Sequence, residues 1–294
     1  MSTILVTGAT GALGRQVLEF LLERKPASDI AALARHADQL SDFAARGVSV
    51  RAGDYHDPAS LEAAFVGVDK LLLVSAPAFS DAAAGHHNVI TAAADAGVAH
   101  LHFTAIQRRN GSGFVIPQVT EWEQRAEEEL ASSGMAITIL RNTLYLDSLD
   151  DLIGEPDADG VIRVPAGHTP AAVATRRDLA EATAQVLAGD GHAGRTYTLA
   201  GSRPITLDNI AATIGKARSR DVTYQDVPPS TWVRESVRRG TPEPGAHFLV
   251  AWFRAIAAGE FSQTGDLQRL LGRSPSDPLA FIHQRRLAHR GSRG

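Results

Sequence analysis

The stretch that decides the reading of this chain runs from Thr3 to Gly14: T-I-L-V-T-G-A-T-G-A-L-G. An apolar run, Ile4-Leu5-Val6, meets glycines at Gly8, Gly11 and Gly14. An apolar helical period follows at Leu13, Val17, Leu18 and Leu21. The order reads as strand, tight turn, helix. Gly8 supplies a turn with positive φ. Gly11 lets the main chain approach a pyrophosphate, and Gly14 lets the helix close on the strand. The amides and positive dipole end at the start of that helix favour phosphate. The spacing is G-x-x-G-x-x-G, not the G-x-G-x-x-G of the dinucleotide fingerprint, and a plain glycine-rich turn is the competing reading. The strand before it and the helix after it favour the nucleotide. Gly8, Thr10, Gly11, Ala12, Leu13 and Gly14 are therefore candidate cofactor residues.

Ile30 to Ala34 reads as a buried strand ending at Arg35, about 20 residues past the glycines, where such folds read the adenosine ribose. A carboxylate there would repel a 2′-phosphate, whereas a guanidinium suits one, so Arg35 predicts NADP(H). The alternative is an ordinary solvated charge at a strand end. Val48 to Ala52 is the next strand and leads to Asp54 and Tyr55, candidates to flank the adenine. Asp57-Pro58 reads as a helix entry. Leu71 to Val74 is a central strand ending at Ser75, Ala76 and Pro77. Ala83 to Ala96 is a helix closed by Gly97, and its His86-His87 pair does not share a face. His100 to Thr104 is a strand, continued by Ala105 and Ile106 into the loop Gln107 to Gly113. His100 and His102 share one face of it, as ligands for a metal or as ordinary polar strand positions. Thr120-Glu121-Trp122-Glu123 predicts a capping box on a helix that Gly134 ends. Ala136 to Arg141 is the sixth strand.

Strand and helix thus alternate from residue 3 to 141, the pattern of an α/β fold with a doubly wound parallel sheet, a Rossmann fold. Ligands of such sheets sit at the carboxyl ends of the strands. This adds Ser75, Ala76, Pro77, Thr104, Ala105 and Ile106 to the cofactor set. It makes Asn142 and Tyr145 the catalytic candidates, positioned to hydrogen-bond a substrate oxygen. Tyr145 packed in the core with its hydroxyl satisfied is the alternative.

The 294 residues are 44% hydrophobic, enough for a large core. No apolar run reaches the roughly 18 residues of a membrane span. The start of the chain carries no signal-peptide pattern, so a cytoplasmic protein is expected. Cysteine is absent, which excludes thiolate chemistry and disulfides, and a net charge of −4 argues against a nucleic-acid surface.

In the second half, Asp178 suits a helix N-terminus and Thr196 to Leu199 is a last sheet strand. Thr206 caps a helix through Lys216, and Asp221 to Val227 is a short strand. From Pro228 onward, prolines and glycines interrupt short helices. Phe248, Leu249, Trp252, Phe253 and Ile256 share one helical face, either core or the wall of an apolar pocket. The tail from Arg285-Arg286 onward is basic and expected to fray. The expected division is a nucleotide-binding Rossmann domain over 1–200 and a small α/β substrate-capping region over 201–294.

Several of these stretches also carry a family likeness. They are T-G-A-T-G-A-L-G, L-A-R at 33–35, A-G-D-Y at 52–55, L-L-L-V-S at 71–75, E-x-x-L-x-x-S-G at 127–134, L-R-N-T-L-Y at 140–145, A-T-R-R-D-L-A at 174–180 and T-Y-T-L-A-G at 196–201. Together they resemble the NmrA-like, atypical branch of the short-chain dehydrogenases, and within it the type 2 bacterial NAD(P)H:quinone oxidoreductases. The resemblance implies a Rossmann fold, NADP(H) binding and often quinone reduction; some relatives bind the cofactor only to sense it. Typical short-chain dehydrogenases use Tyr-x-x-x-Lys, in which Lys lowers the Tyr pKa. Here Tyr55, Tyr145, Tyr197 and Tyr224 are followed four residues on by Ala59, Leu149, Gly201 and Pro228. The chain also departs from the quinone-reductase pattern. Glu123 and Glu127-Glu128 stand where relatives tend to have His and a Glu-Lys pair, and Gln107-Arg108-Arg109 is unusually basic.

The expectation is an NADPH-dependent reductase passing hydride to a quinone-like acceptor, with a small aromatic or quinone-like molecule as its partner. The alternatives are an NADP(H)-sensing regulatory protein without turnover, or a pathway-specific reductase or isomerase of an aromatic metabolite. Arg108, Arg109 and Glu128 favour the last. The pattern leaves a homodimer open.

Overall fold

The computed structural model describes residues 2–76, 80–148 and 152–291, with side chains to residue 288 in the last segment. Seven parallel strands form its centre: β1 (Ile4–Val6), β2 (Ile30–Ala34), β3 (Ser49–Ala52), β4 (Lys70–Leu73), β5 (His100–Ile106), β6 (Ala136–Asn142) and β8 (Arg195–Leu199). They lie in the order β3-β2-β1-β4-β5-β6-β8. The chain winds outward from β1 to β3, then returns to β4 on the other side of β1. That reversal opens a crevice at the carboxyl ends of β1 and β4.

The middle of the sheet is covered on both faces, so β1, β2 and all of β4 but Lys70 are continuous apolar runs, whereas the edge strands β3 and β8 carry exposed polar residues. Ile4 and Val6 face one core with Ile30, Ala32 and Leu72. This core is closed by helix α1 (Ala12–Leu22) and helix α6 (Arg176–Ala188). Leu5 faces the other with Ala31, Leu71 and Leu73, closed by α3 (Pro58–Phe65), α4 (Ala82–Asp95) and α5 (Thr120–Ser132). A four-residue helix α2 (Ser41–Ala44) precedes β3.

The remaining elements build a third core beside the crevice. A two-stranded parallel sheet pairs β7 (Val161–Val164) with β9 (Thr223–Asp226). Around it pack α7 (Leu207–Arg218), α8 (Pro229–Arg238), α9 (Glu243–Ala257) and α11 (Pro278–Gly291), while the short α10 (Leu267–Leu271) joins the first core. Strand β7 is absent from the sequence reading because a central Arg163 interrupts its short apolar run. This third core also recruits Leu144, Leu146, Ile153, Ile162 and Val164, so it draws residues from both sides of position 200.

The capping expectations divide. Thr206 caps α7 in a reciprocal box with Asn209, and Asp57 caps α3 by accepting from Ser60 N at 3.4 Å. The capping box at Thr120 does not form. Val119 holds the N-cap position without a side-chain bond, and Thr120 is already the first helical residue. Thr120 is buried, and its Oγ1 is taken by Ile116 N and Ile116 O. Glu123 turns away to the sheet. Among the described residues, no helix is long and apolar enough to cross a membrane.

Candidate functional site

A cavity of about 970 Å³ lies at the carboxyl ends of the strands, with the third core as its opposite wall. It is lined by Gly8, Thr10, Gly11, Ala12, Leu13, Gly14, Arg35, Asp54, Tyr55, Ser75, Ala76, Thr104, Ala105, Ile106, Asn142 and Tyr145. The structure thus brings these sequence candidates to one crevice; Pro77 lies outside the described residues.

The first turn explains its own glycines. Gly8 has φ +58°, and a Cβ there would stand 3.0 Å from Val74 Cβ. A Cβ on Gly14 would stand 2.4 Å from Gly8 O, so α1 can start this close to the strand only without a side chain. The Gly11 N–H closes the turn on Gly8 O at 2.9 Å, so it is spent within the turn. Ala12, Leu13 and Gly14 open the helix, where amides have no intrahelical acceptor. No side chain caps this end, and its first turn holds no acidic residue. A pyrophosphate matches those three amides and the positive end of the helix dipole.

At the end of β2, the Arg35 side chain is exposed on the same crevice. Asp54 and Tyr55 are more engaged than the sequence suggested. Asp54 Oδ1 accepts from His56 N at 3.0 Å. The Tyr55 hydroxyl contacts Thr7 Oγ1 and donates to Val74 O at 3.0 Å, tying the ends of β1 and β4 together. Burial raises its pKa, so it stays a neutral phenol.

Beyond β4 and β5 the strand-end amides are satisfied by side chains. Ser75 N donates to Thr104 Oγ1 and Ala76 N to His86 Nε2, each at 3.0 Å. Burial holds His86 down to about 4, which fits a neutral ring accepting that amide. Ile106 N donates to Glu123 Oε2 at 2.8 Å, and Ser75 Oγ donates to Oε1 at 3.3 Å. Glu123 is only 4% exposed, yet it lines the cavity. Burial pushes its carboxyl up to about 7. In the sequence the T-x-x-E spacing reads as a helix cap, and only the packed structure puts Glu123 opposite the ends of two strands.

At the end of β6, Asn142 Nδ2 donates to the Tyr145 hydroxyl at 3.4 Å, and the Arg176 guanidinium sits 5.1 Å from the Tyr145 ring centroid. Burial raises the Tyr145 hydroxyl above its ordinary value, against the pull of Asn142 and Arg176. Phe248, Leu249 and Trp252 of α9 face the crevice, whereas Phe253 and Ile256 of the same stripe are buried in the third core. The stripe is both core and wall.

The basic loop is not a free patch. Arg108 pairs with Glu127, which also holds Arg141 at 2.8 Å, and Arg109 N donates to Glu260 Oε2 at 3.0 Å. Glu128 is exposed on α5 and does not line the cavity. His100 and His102 stack with ring centroids 4.0 Å apart, and His100 Nε2 bonds Thr138 Oγ1 at 2.8 Å. Among the described residues no three potential ligands converge as a metal site.

Comparison with known proteins matches residues 1–275 to the NmrA-like family. Quinone oxidoreductase 2 of Escherichia coli strain K12 is 36% identical over 280 residues, covering 94% of this chain and 96% of that protein. The crystal structure of E. coli NADPH-dependent quinone oxidoreductase in complex with NADPH superposes with a TM-score of 0.90 at 33% identity, covering 96% of this chain and 99% of that one. The Citrobacter sp. triphenylmethane reductase complexed with NADP(H) gives a TM-score of 0.88 at 36% identity, with the same coverage.

Proposed function

This chain belongs to the NmrA-like family, and from that premise we propose that it is an NADPH-dependent reductase of flat, conjugated, quinone-like acceptors. One observation carries the reading: the uncapped start of α1 and the exposed Arg35 open on the same crevice. The amides of Ala12, Leu13 and Gly14 would hold the pyrophosphate, and Arg35 the 2′-phosphate. Ser75, Ala76, Thr104, Ala105 and Ile106 would form the wall beside the nicotinamide. When bound, this cofactor supplies the hydride.

The chain's own contribution is placement. Phe248, Leu249 and Trp252 give an acceptor an apolar wall and exclude water. Asn142 and Tyr145 offer hydrogen bonds to an acceptor oxygen. The sequence holds no Tyr-x-x-x-Lys pair, and reduction of a quinone does not need one, because its product oxygens are far less basic than an alkoxide.

The test is a titration with both nicotinamide cofactors followed by anaerobic turnover with a quinone panel. NADPH is expected to bind more tightly than NADH. Arg35→Ala is expected to remove about tenfold of that preference, the worth of a charged hydrogen bond at an exposed site. Unchanged selectivity in the variant removes Arg35 from the phosphate site. An absence of turnover with every quinone overturns the activity.

A further inference from the structure

We propose that Glu123 is the proton donor of this crevice, a neutral carboxylic acid that protonates the acceptor oxygen left charged by hydride transfer; this rests on the reductase reading above. Two acids line the cavity, Glu123 and Tyr145, and the Glu123 charge is among those that raise the Tyr145 hydroxyl. They are unequal. The Tyr145 phenol is raised above 10.0, whereas the Glu123 carboxyl sits at about 7. A donor matched to neutral pH is the better general acid.

The geometry holds the carboxyl in place. Oε2 receives the Ile106 amide at 2.8 Å and Oε1 faces Ser75 Oγ at 3.3 Å, so the carboxylate left after donation keeps two donors. The charges around it offset one another. Arg108, in the loop after β5, pulls the carboxyl down; Glu127, one turn along α5, pushes it up. Arg108 and Glu127 are themselves paired, and Arg141 joins them from β6. Ser75 on the β4 side and Asn142 on the β6 side are neutral.

The balance is simple. A quinone gains two electrons and one proton as hydride from the reduced nicotinamide. Its second proton comes from Glu123: the carboxyl O–H breaks as the acceptor O–H forms, and water then reprotonates the carboxylate. A triarylmethyl dye cation needs no such proton, because hydride alone converts it to a neutral product.

Glu123→Gln keeps an acceptor for Ile106 N and a polar group for Ser75 but has no acidic proton. The experiment measures kcat/KM against pH for a benzoquinone and for a triarylmethyl cation, with NADPH affinity determined separately. The ratio of quinone to dye kcat/KM is expected to fall by about 10²-fold in Glu123→Gln. The fall in wild-type quinone reduction above pH of about 7 should vanish in the variant. A readout without turnover is the infrared carbonyl band of a neutral carboxylic acid. It should be present in wild type below about pH 7, lost above it, and missing from Glu123→Gln. Equal losses on both acceptors, survival of the pH limb in the variant, or absence of the band overturns the assignment while leaving the reductase reading in place. No reduction of either acceptor by the wild-type protein overturns that reading and this assignment with it.

Discussion

Glu123 and His86 pull the stability of this fold in opposite directions with pH. The Glu123 carboxyl lies at about 7 in the folded chain against 4.5 as a free group. Between those values the folded state holds more protons than the unfolded, so stability falls as pH rises. His86 lies at about 4 against 6.5. There the unfolded state holds more protons, so stability falls as pH drops. Each full shift corresponds to about 3 kcal/mol at most. Across the shared window from 4.5 to 6.5 the two slopes largely cancel, and single variants expose them. In urea unfolding, Glu123→Gln should gain stability as pH rises through that window. His86→Gln should lose it. Parallel curves for both variants would show that neither group is perturbed as described. Most of the candidate residues read from the sequence line one cavity because position alone brings strand-end residues together. The sequence could not reveal Glu123, because burial and the orphan amide of Ile106 are properties of the packed sheet.

The elements show which local signals survive packing. Helix α7 keeps the box that its sequence promises, with Thr206 N donating to Asn209 Oδ1 at 3.1 Å and Asn209 N donating to Thr206 Oγ1 at 3.2 Å. Thr206→Ala should therefore cost about 1 kcal/mol in chemical unfolding, and Thr206→Ser should restore most of it. A loss in Thr206→Ala much below that figure would mean that solvent satisfies the helix end equally well. In α5 the same kind of signal fails because Thr120 is buried and its hydroxyl is taken by the Ile116 backbone just before the helix. The centre of the parallel sheet was legible for the opposite reason: β1, β2 and β4 are buried on both faces, and their short apolar runs survive in any context. Strand β7 was not legible, since only its pairing with β9 distinguishes V-I-R-V from a loop.

At the scale of the molecule, the crevice is bounded on one side by the sheet and on the other by the third core, and α9 belongs to both. Trp252 stacks on Phe261 with ring centroids 6.2 Å apart and planes 10° from parallel, while its exposed part lines the cavity. Its neighbour Phe253 is fully buried, edge-on to Trp232 at 5.2 Å. Adjacent residues on one helix should therefore fail differently. Phe253→Ala opens a cavity in the third core and should cost about 3–5 kcal/mol, read as a lower unfolding midpoint. Trp252→Ala removes an aromatic surface worth about 1 kcal/mol to a stacked ring. It should raise KM for aromatic acceptors several-fold while leaving the NADPH Kd in place, because the helix N-terminus and Arg35 lie on the far wall. Trp252→Phe should recover most of the loss. If Trp252→Ala weakens NADPH as much as it weakens the acceptor, α9 faces the cofactor, and the division of the crevice into a phosphate wall and an acceptor wall is wrong.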